Sequence, residues 1–218
     1  MSVTGRTLVI ETASEACSVA LFEGAEVVAR DHRILGRGHA EQLVPMIAAL
    51  PDKGKAGRIL VSLGPGSFTG VRIGIASARA LGFAWRAEVL GYPTLALVAA
   101  IAREESNLPV EARRVTVCMN GGHGEWFVQD FDALGIPEGE AASLSPKAVS
   151  TRGCHSLAAG NRAKDLIATQ VDGLVQALEV LPDAAHAMLL PGAALTADLT
   201  PIYGRGPDAK PLAQQIKQ

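Results

Sequence analysis

Apolar residues come in short bursts along this chain, and the bursts change period. Thr7-Leu8-Val9-Ile10 is a continuous apolar and β-branched run that predicts a strand. Thr12-Ala13-Ser14-Glu15 is polar and turn-like, and Cys17 to Phe22 alternates as a second strand. Glu23-Gly24 turns the chain into Glu26-Val27-Val28-Ala29-Arg30, so the opening reads as an antiparallel meander. After Arg37-Gly38-His39 the period becomes helical. Leu43, Val44, Ile47 and Leu50 share a face of a helix that starts near Ala40 or Glu41. Pro45 falls near the first turn, where amides lack intrahelical partners, and Pro51 with Gly54 ends the helix. Arg58 to Leu63 is a buried-strand run. A glycine-rich loop, Gly64 to Gly70, then leads into a long helix over roughly Val71 to Ala87, with Gly91 and Pro93 beyond it. A further helix runs from Leu95 to Glu105, with Thr94 as its N-cap.

The pattern then starts again. Asn107-Leu108-Pro109 is the best boundary, which divides the chain into an N-terminal lobe, 1–106, and a C-terminal lobe, 107–218. Arg114 to Met119 and Trp126 to Phe131 predict two strands around the loop Asn120-Gly121-Gly122-His123-Gly124. Helices follow near Arg162 to Leu166 and Asp172 to Glu179. From Pro191 onward loops and a short helix are expected, with the last residues either returning to the N-terminal lobe or fraying after Pro211. The two halves share an order of elements but no residue-level repeat. Hairpins followed by helices predict an α/β fold with mixed sheets.

Composition narrows the classes. Of 218 residues, 36 are alanine and nine are aromatic, so the core must be built from small and β-branched side chains. The formal net charge of −2 gives no whole-chain reason to expect strong nucleic-acid binding. No apolar run reaches the roughly 18 residues of a membrane span, and Met1 to Arg6 does not open a signal peptide. Cys17, Cys118 and Cys154 are odd in number and far apart, which reads as free thiols in a reducing, cytoplasmic setting.

The segment richest in chemistry is Gly64 to Gly82. A strand running into a glycine-rich loop and a helix N-terminus can cradle an anion, with Ser67 and Thr69 as caps or phosphate partners and Arg72 in reach. It can equally be a rigid turn. It lacks the Gly-Lys-Ser/Thr of a P-loop, and the spacing of Gly64, Gly66 and Gly70 is wrong for a dinucleotide fingerprint. Gly70, Gly74, Ala78 and Gly82 then recur every four residues, a ridge almost free of side chains that suits close packing on the protein's own sheet or on a partner helix. His39 and Glu41, two apart on a helix, diverge and do not form a metal pair. Glu11 at a strand end reads as a surface acid or as part of a nucleotide site.

The run Leu63-Gly64-Pro65-Gly66-Ser67-Phe68-Thr69-Gly70-Val71-Arg72-Ile73-Gly74 resembles the signature of the TsaB (YeaZ) family. Leu8 to Leu21 resembles that family's first hairpin, Gly38 to Ile47 its first-helix motif, and Pro201-Ile202-Tyr203-Gly204-Arg205 its C-terminal tag. The likeness is strong over Thr7 to Pro93 and faint between that stretch and the tag. It implies a two-lobed actin/hexokinase-like fold of ribonuclease-H-like topology. It also implies a non-catalytic scaffold or activator in the complex that forms N6-threonylcarbamoyladenosine at position 37 of tRNA. The implied partners are the catalytic paralogue TsaD and the ATPase TsaE, with TsaC making the donor; a homodimer is implied for the chain alone, and tRNA is reached indirectly. The partner helix would sit on Gly70, Gly74, Ala78, Leu81 and Gly82. ATP or ADP at the subunit interface would lie near Gly64, Gly66, Ser67, Thr69 and Arg72, with no catalytic residue and no metal. The catalytic paralogue carries paired histidines where this chain has Gly91 to Val98, which holds neither His nor an acid. Glu11 stands where the family usually has Asp, Ala13 where it has Ser, and Asn120-Gly121-Gly122 where it has Asp-Ala-Arg. The enzyme alternative is an ATP-binding phosphotransferase or hydrolase of the same fold, motivated by the glycine-rich loop and Glu11. A peptidase would need a zinc-helix motif or a Ser-His-Asp set, and neither is present in the sequence.

Overall fold

The computed structural model describes residues 5–168 and 176–204. Three strands open the chain, β1 (Arg6–Glu11), β2 (Ala16–Glu23) and β3 (Glu26–Ile34), as an antiparallel meander. They are followed by α1 (His39–Ala49), β4 (Arg58–Ser62), α2 (Phe68–Trp85), β5 (Glu88–Tyr92) and α3 (Thr94–Glu105). The second half repeats the opening with β6 (Val115–Gly122), β7 (Glu125–Phe131) and β8 (Ala142–Leu144). Then come α4 (Pro146–Arg152), β9 (Leu157–Ala159), α5 (Ala163–Ala168) and β10 (Gln176–Leu178).

The likeness of the halves is now one of topology. The first sheet is ordered β3-β2-β1-β4-β5 and the second β8-β7-β6-β9-β10. In each, the first two pairings are antiparallel and the last two parallel. That order, used twice, is the two-lobed ribonuclease-H-like, actin-like α/β fold.

The period-2 rule explains the layers. Along β1, Leu8 and Ile10 join the core beneath α1 and α2, while Val9 points into a second core with Leu95, Leu97 and Ile101 of α3. That second core continues into Val115, Val117 and Phe127 of the second sheet. Helix α3 is therefore a filling between the two sheets, which is why Thr94 to Ala102 are buried on every side. A third core, with Cys118, Trp126 and Val149, lies on the outer face of the second sheet beneath α4 and α5. Among the described residues no helix is long and apolar enough to cross a membrane.

Several local expectations change. Residues 176–178 form β10 rather than the end of a helix; the rest of that expected helix's start, 172–175, lies outside the described residues, as does the tail after Pro211. The short elements β5, β8, β9 and α4 carry too few residues to show a period of their own. Pro93 takes the N-cap position of α3, and Thr94 is its first helical residue, fully buried.

Candidate functional site

The turn between β1 and β2 and the glycine-rich loop before α2 meet at the top of the first sheet. They meet directly, backbone to backbone. The Ser67 amide donates to the Ala13 carbonyl at 2.6 Å, and the Thr12 hydroxyl donates to the Gly70 carbonyl at 2.8 Å. A Cβ on Gly66 would fall inside the Ala13 carbonyl, its carbon only 2.8 Å away, and one on Gly70 would collide with the Thr12 carbonyl. Glycine is required here because two stretches of backbone touch.

The ridge on α2 has the same cause. A Cβ on Gly74 would strike the Thr12 hydroxyl, and one on Gly82 would strike the Val89 side chain. Gly70, Gly74, Ala78 and Gly82 are all buried, and Leu81 is half-buried against the same core. This corrects the assignment of these five residues to a partner interface: the ridge seats α2 on the protein's own sheet and turn.

The residues expected to contact an anion are also engaged within the chain. Ser67 caps α2, its hydroxyl accepting from the Gly70 amide at 3.2 Å. Gly64 adopts φ 91° and leaves no room for a side chain beside the Ile202 carbonyl, 2.5 Å from where a Cβ would stand. Arg72 stacks on Phe68, its guanidinium 3.6 Å from the ring centre, and donates to the Tyr203 hydroxyl at 2.8 and 3.2 Å. Thr69 is exposed. The structure thus brings Gly64, Gly66, Ser67 and Arg72 together at one corner, closed at its glycines by backbone of the same chain, with Ser67, Thr69 and Arg72 exposed on its surface.

What closes the corner is a strap from the second lobe. Thr196 exchanges backbone hydrogen bonds with Gly91 at 2.7 and 3.0 Å, and the Ile202 amide donates to the Leu63 carbonyl at 2.7 Å. Gly204 fits against Phe127 and Pro65. The Pro201 to Tyr203 part of the C-terminal tag is the end of this strap; the tag was the signal that could have revealed the Arg72–Tyr203 contact. Asn161 adds a second tie between the lobes: its amide donates to both Glu15 oxygens at 2.8 and 3.1 Å and its carbonyl accepts from the Asn120 amide at 2.8 Å. Nothing in the local sequence singles out Asn161.

Glu11 lies beneath the turn, fully buried. It accepts from the Ala13 amide at 2.7 Å and from the Tyr92 hydroxyl at 3.2 Å. Burial pushes its carboxyl up to about 7. Tyr92 is raised as well, first by burial and then by Glu11. Glu11 is therefore not a surface acid, and its two partners hold it inward. His39 begins α1 and packs inside, its Nε2 3.2 Å from the Ala16 carbonyl, while Glu41 is exposed. Burial raises the thiols of Cys17 to about 11 and Cys118 to about 12, which suits structural cysteines rather than nucleophiles.

Comparison with known proteins follows the same lines. A family described as TsaD: tRNA N6-adenosine threonylcarbamoyltransferase matches residues 26–143, over half of the chain. The tRNA threonylcarbamoyladenosine biosynthesis protein TsaB of Escherichia coli is 35% identical over 156 residues, covering 67% of this chain and 65% of that protein. The structure of YeaZ from Pseudomonas aeruginosa superposes with a TM-score of 0.74 at 27% identity, covering 92% of this chain and all of that one. The chain belongs to the TsaB/YeaZ family. An uncharacterized Mycobacterium tuberculosis protein, 29% identical over 216 residues, matches 94% of both chains. The chain thus spans just under two thirds of the E. coli TsaB sequence it matches, and nearly the full length of the P. aeruginosa YeaZ structure. Within this TsaB/YeaZ-family chain, the family's glycine-rich signature is the part that makes the closed corner.

Proposed function

We propose that this chain is a non-catalytic scaffold or activator subunit in the formation of N6-threonylcarbamoyladenosine at position 37 of tRNA. The observation that carries this reading is the closed corner. In the loop that would hold nucleotide phosphates in an ATP-dependent enzyme, the space beside Gly64, Gly66 and Gly70 is taken by the Ile202, Ala13 and Thr12 carbonyls of the same chain. The stretch Gly91 to Val98, which by resemblance matches that of the catalytic paralogue's metal-binding histidines, holds neither His nor an acid. The work left to such a subunit is to hold another protein, and TsaD, the catalytic paralogue, is the partner proposed; TsaE joins the assembly, and nucleotide, ATP or ADP, belongs to the interface between subunits. A homodimer uses the same surface when the chain is alone.

The proposed surface lies on the opposite side of α2 from the glycine ridge. Ala76, Ala80 and Ala84 are exposed and repeat the four-residue spacing two positions on, about 200° around the helix. On the neighbouring α1, Val44 is 61% exposed. A partner helix can approach closely over alanines, and Val44 supplies apolar area to bury. Co-purification with TsaD tests this. Ala80→Glu is expected to abolish pairing while the melting temperature stays within a degree or two of wild type; pairing that survives Ala80→Glu and Val44→Asp together would show that the surface is elsewhere. Calorimetry with Mg-ATP on the chain alone tests the enzyme alternative: no heat at millimolar nucleotide is expected, and micromolar binding would restore that alternative.

A further inference from the structure

The net charge of −2 hides a strongly uneven distribution. From Lys53 to Ala87 the chain contains no Asp or Glu, yet it carries Lys53, Lys55, Arg58, Arg72, Arg79 and Arg86. All six are exposed. Only Arg58 is paired with a carboxylate, Glu88 at 2.8 Å; among the described residues the other five have none within 4 Å. Asp198 on the strap, held first by its hydrogen bonds from Thr200, also feels the charge of Arg79. Arg72 and Arg79 stand seven residues apart on one line along α2, roughly 10 Å from each other, and Arg86, the left-handed C-cap, lies just past the end of the helix.

Aromatic rings interleave with this line. Phe68 is 54% exposed and Phe83 is 90% exposed, and each lies on the same flank of α2, four residues from an arginine. At the upper end Tyr203 adds a third ring, 5.4 Å from Phe68, with the Arg72 guanidinium stacked on Phe68 and held by the Tyr203 hydroxyl. Phe83 stands between Arg79 and Arg86 in the sequence with its ring almost wholly exposed. Acidic side chains are missing even from the first turn of α2, where the helix dipole favours them.

We propose that this flank of α2, Phe68-Arg72-Arg79-Phe83-Arg86 with Tyr203, is a contact surface for single-stranded RNA. Its cations track the phosphate backbone and its rings stack on unpaired bases, the combination by which proteins hold flexible RNA loops. Choosing RNA among polyanions rests on the tRNA-modification reading. The stripe adjoins the alanine ridge: Ala76 is four residues from Arg72 and Ala80 three from Phe83, so an RNA on the stripe and a protein over the alanines would share an edge of α2.

The test measures fluorescence anisotropy of a labelled tRNA anticodon stem-loop, with the chain alone and with its complex with TsaD, over a series of salt concentrations. Wild type is expected to bind with an affinity that falls steeply with salt. The double reversal R79E/R86E is expected to weaken binding at least about tenfold and to flatten the salt slope by about 2, roughly one per lost phosphate contact. R79K/R86K should restore both. Phe83→Ala is expected to weaken binding about fivefold or more with the slope unchanged, because stacking releases no counterions. Equal binding by wild type and R79E/R86E overturns the proposal. So does a reversal that leaves RNA binding intact and instead removes TsaD pairing, which would make the stripe a protein interface. Because pairing is followed separately by size exclusion, a chain that binds RNA as expected but does not pair with TsaD sinks the scaffold reading and leaves this one standing.

Discussion

Glu11 carries the clearest consequence at the scale of one residue. Its folded carboxyl sits near 7, against 4.5 for an exposed glutamate, because burial penalises the charge. A group whose folded value is raised stabilises the protein fully below its unfolded value and loses that contribution as pH rises through the folded value. Stability should therefore decline between about pH 4.5 and 7, by roughly 3 kcal/mol for a shift of this size, and stay at the lower level above that. Glu11→Gln keeps the shape without the titration. Urea denaturation is expected to show a pH-independent variant that is more stable than wild type at pH 8; a variant that keeps the decline would place its origin in another group. Nothing in the chain around Glu11 distinguishes a strand-end acid at the surface from one roofed by its own turn. The difference comes from Tyr92, 81 residues away, whose hydroxyl meets it.

The element that most repays attention is α2. Its four-residue ridge was legible in the sequence, and so was the need for a packing reason behind two interior glycines. Which side the ridge faced was not, because spacing alone does not say where the sheet lies. The added-Cβ contacts of Gly74 settle it, and they change what substitution should do. Gly74→Ala, which on an exposed helix would gain about 1 kcal/mol in propensity, should instead destabilise by about 1–3 kcal/mol through its collision with Thr12. Thermal unfolding of Gly74→Ala beside Ala80→Glu separates the two faces: the first should melt lower, the second near wild type. A Gly74→Ala protein as stable as wild type would mean that α2 is seated differently. The short strands β5, β8 and β9 escaped a reading of periodicity because three to five residues hold too little pattern; each forms against the edge of a neighbour, β5 on β4, β8 on β7 and β9 on β6.

At the scale of the whole molecule, the two halves are one topology used twice, and two devices tie them together: the strap from Thr196 to Gly204 and the Asn161 bridge to Glu15. The alternation of strands and helices was enough to foresee mixed sheets and a second start after Pro109. The return of the chain's end to the N-terminal lobe was one of two expectations, but its contacts and the Asn161 bridge were not foreseeable, since each joins residues over a hundred positions apart that share no local pattern. Asn161→Ala is expected to speed hydrogen exchange at the Asn120 amide, which loses its acceptor, while leaving the exchange of β1 amides unchanged. Together the strap, the bridge and the glycine contacts explain how the loop before α2 is held against the first turn and the chain's own C-terminal segment. The most direct test is light scattering on equimolar mixtures with TsaD. A complex that forms with wild type, persists with R79E/R86E and is lost with Ala80→Glu is the result expected; pairing that tolerates Ala80→Glu, in a chain that by itself binds Mg-ATP tightly, would contradict the account.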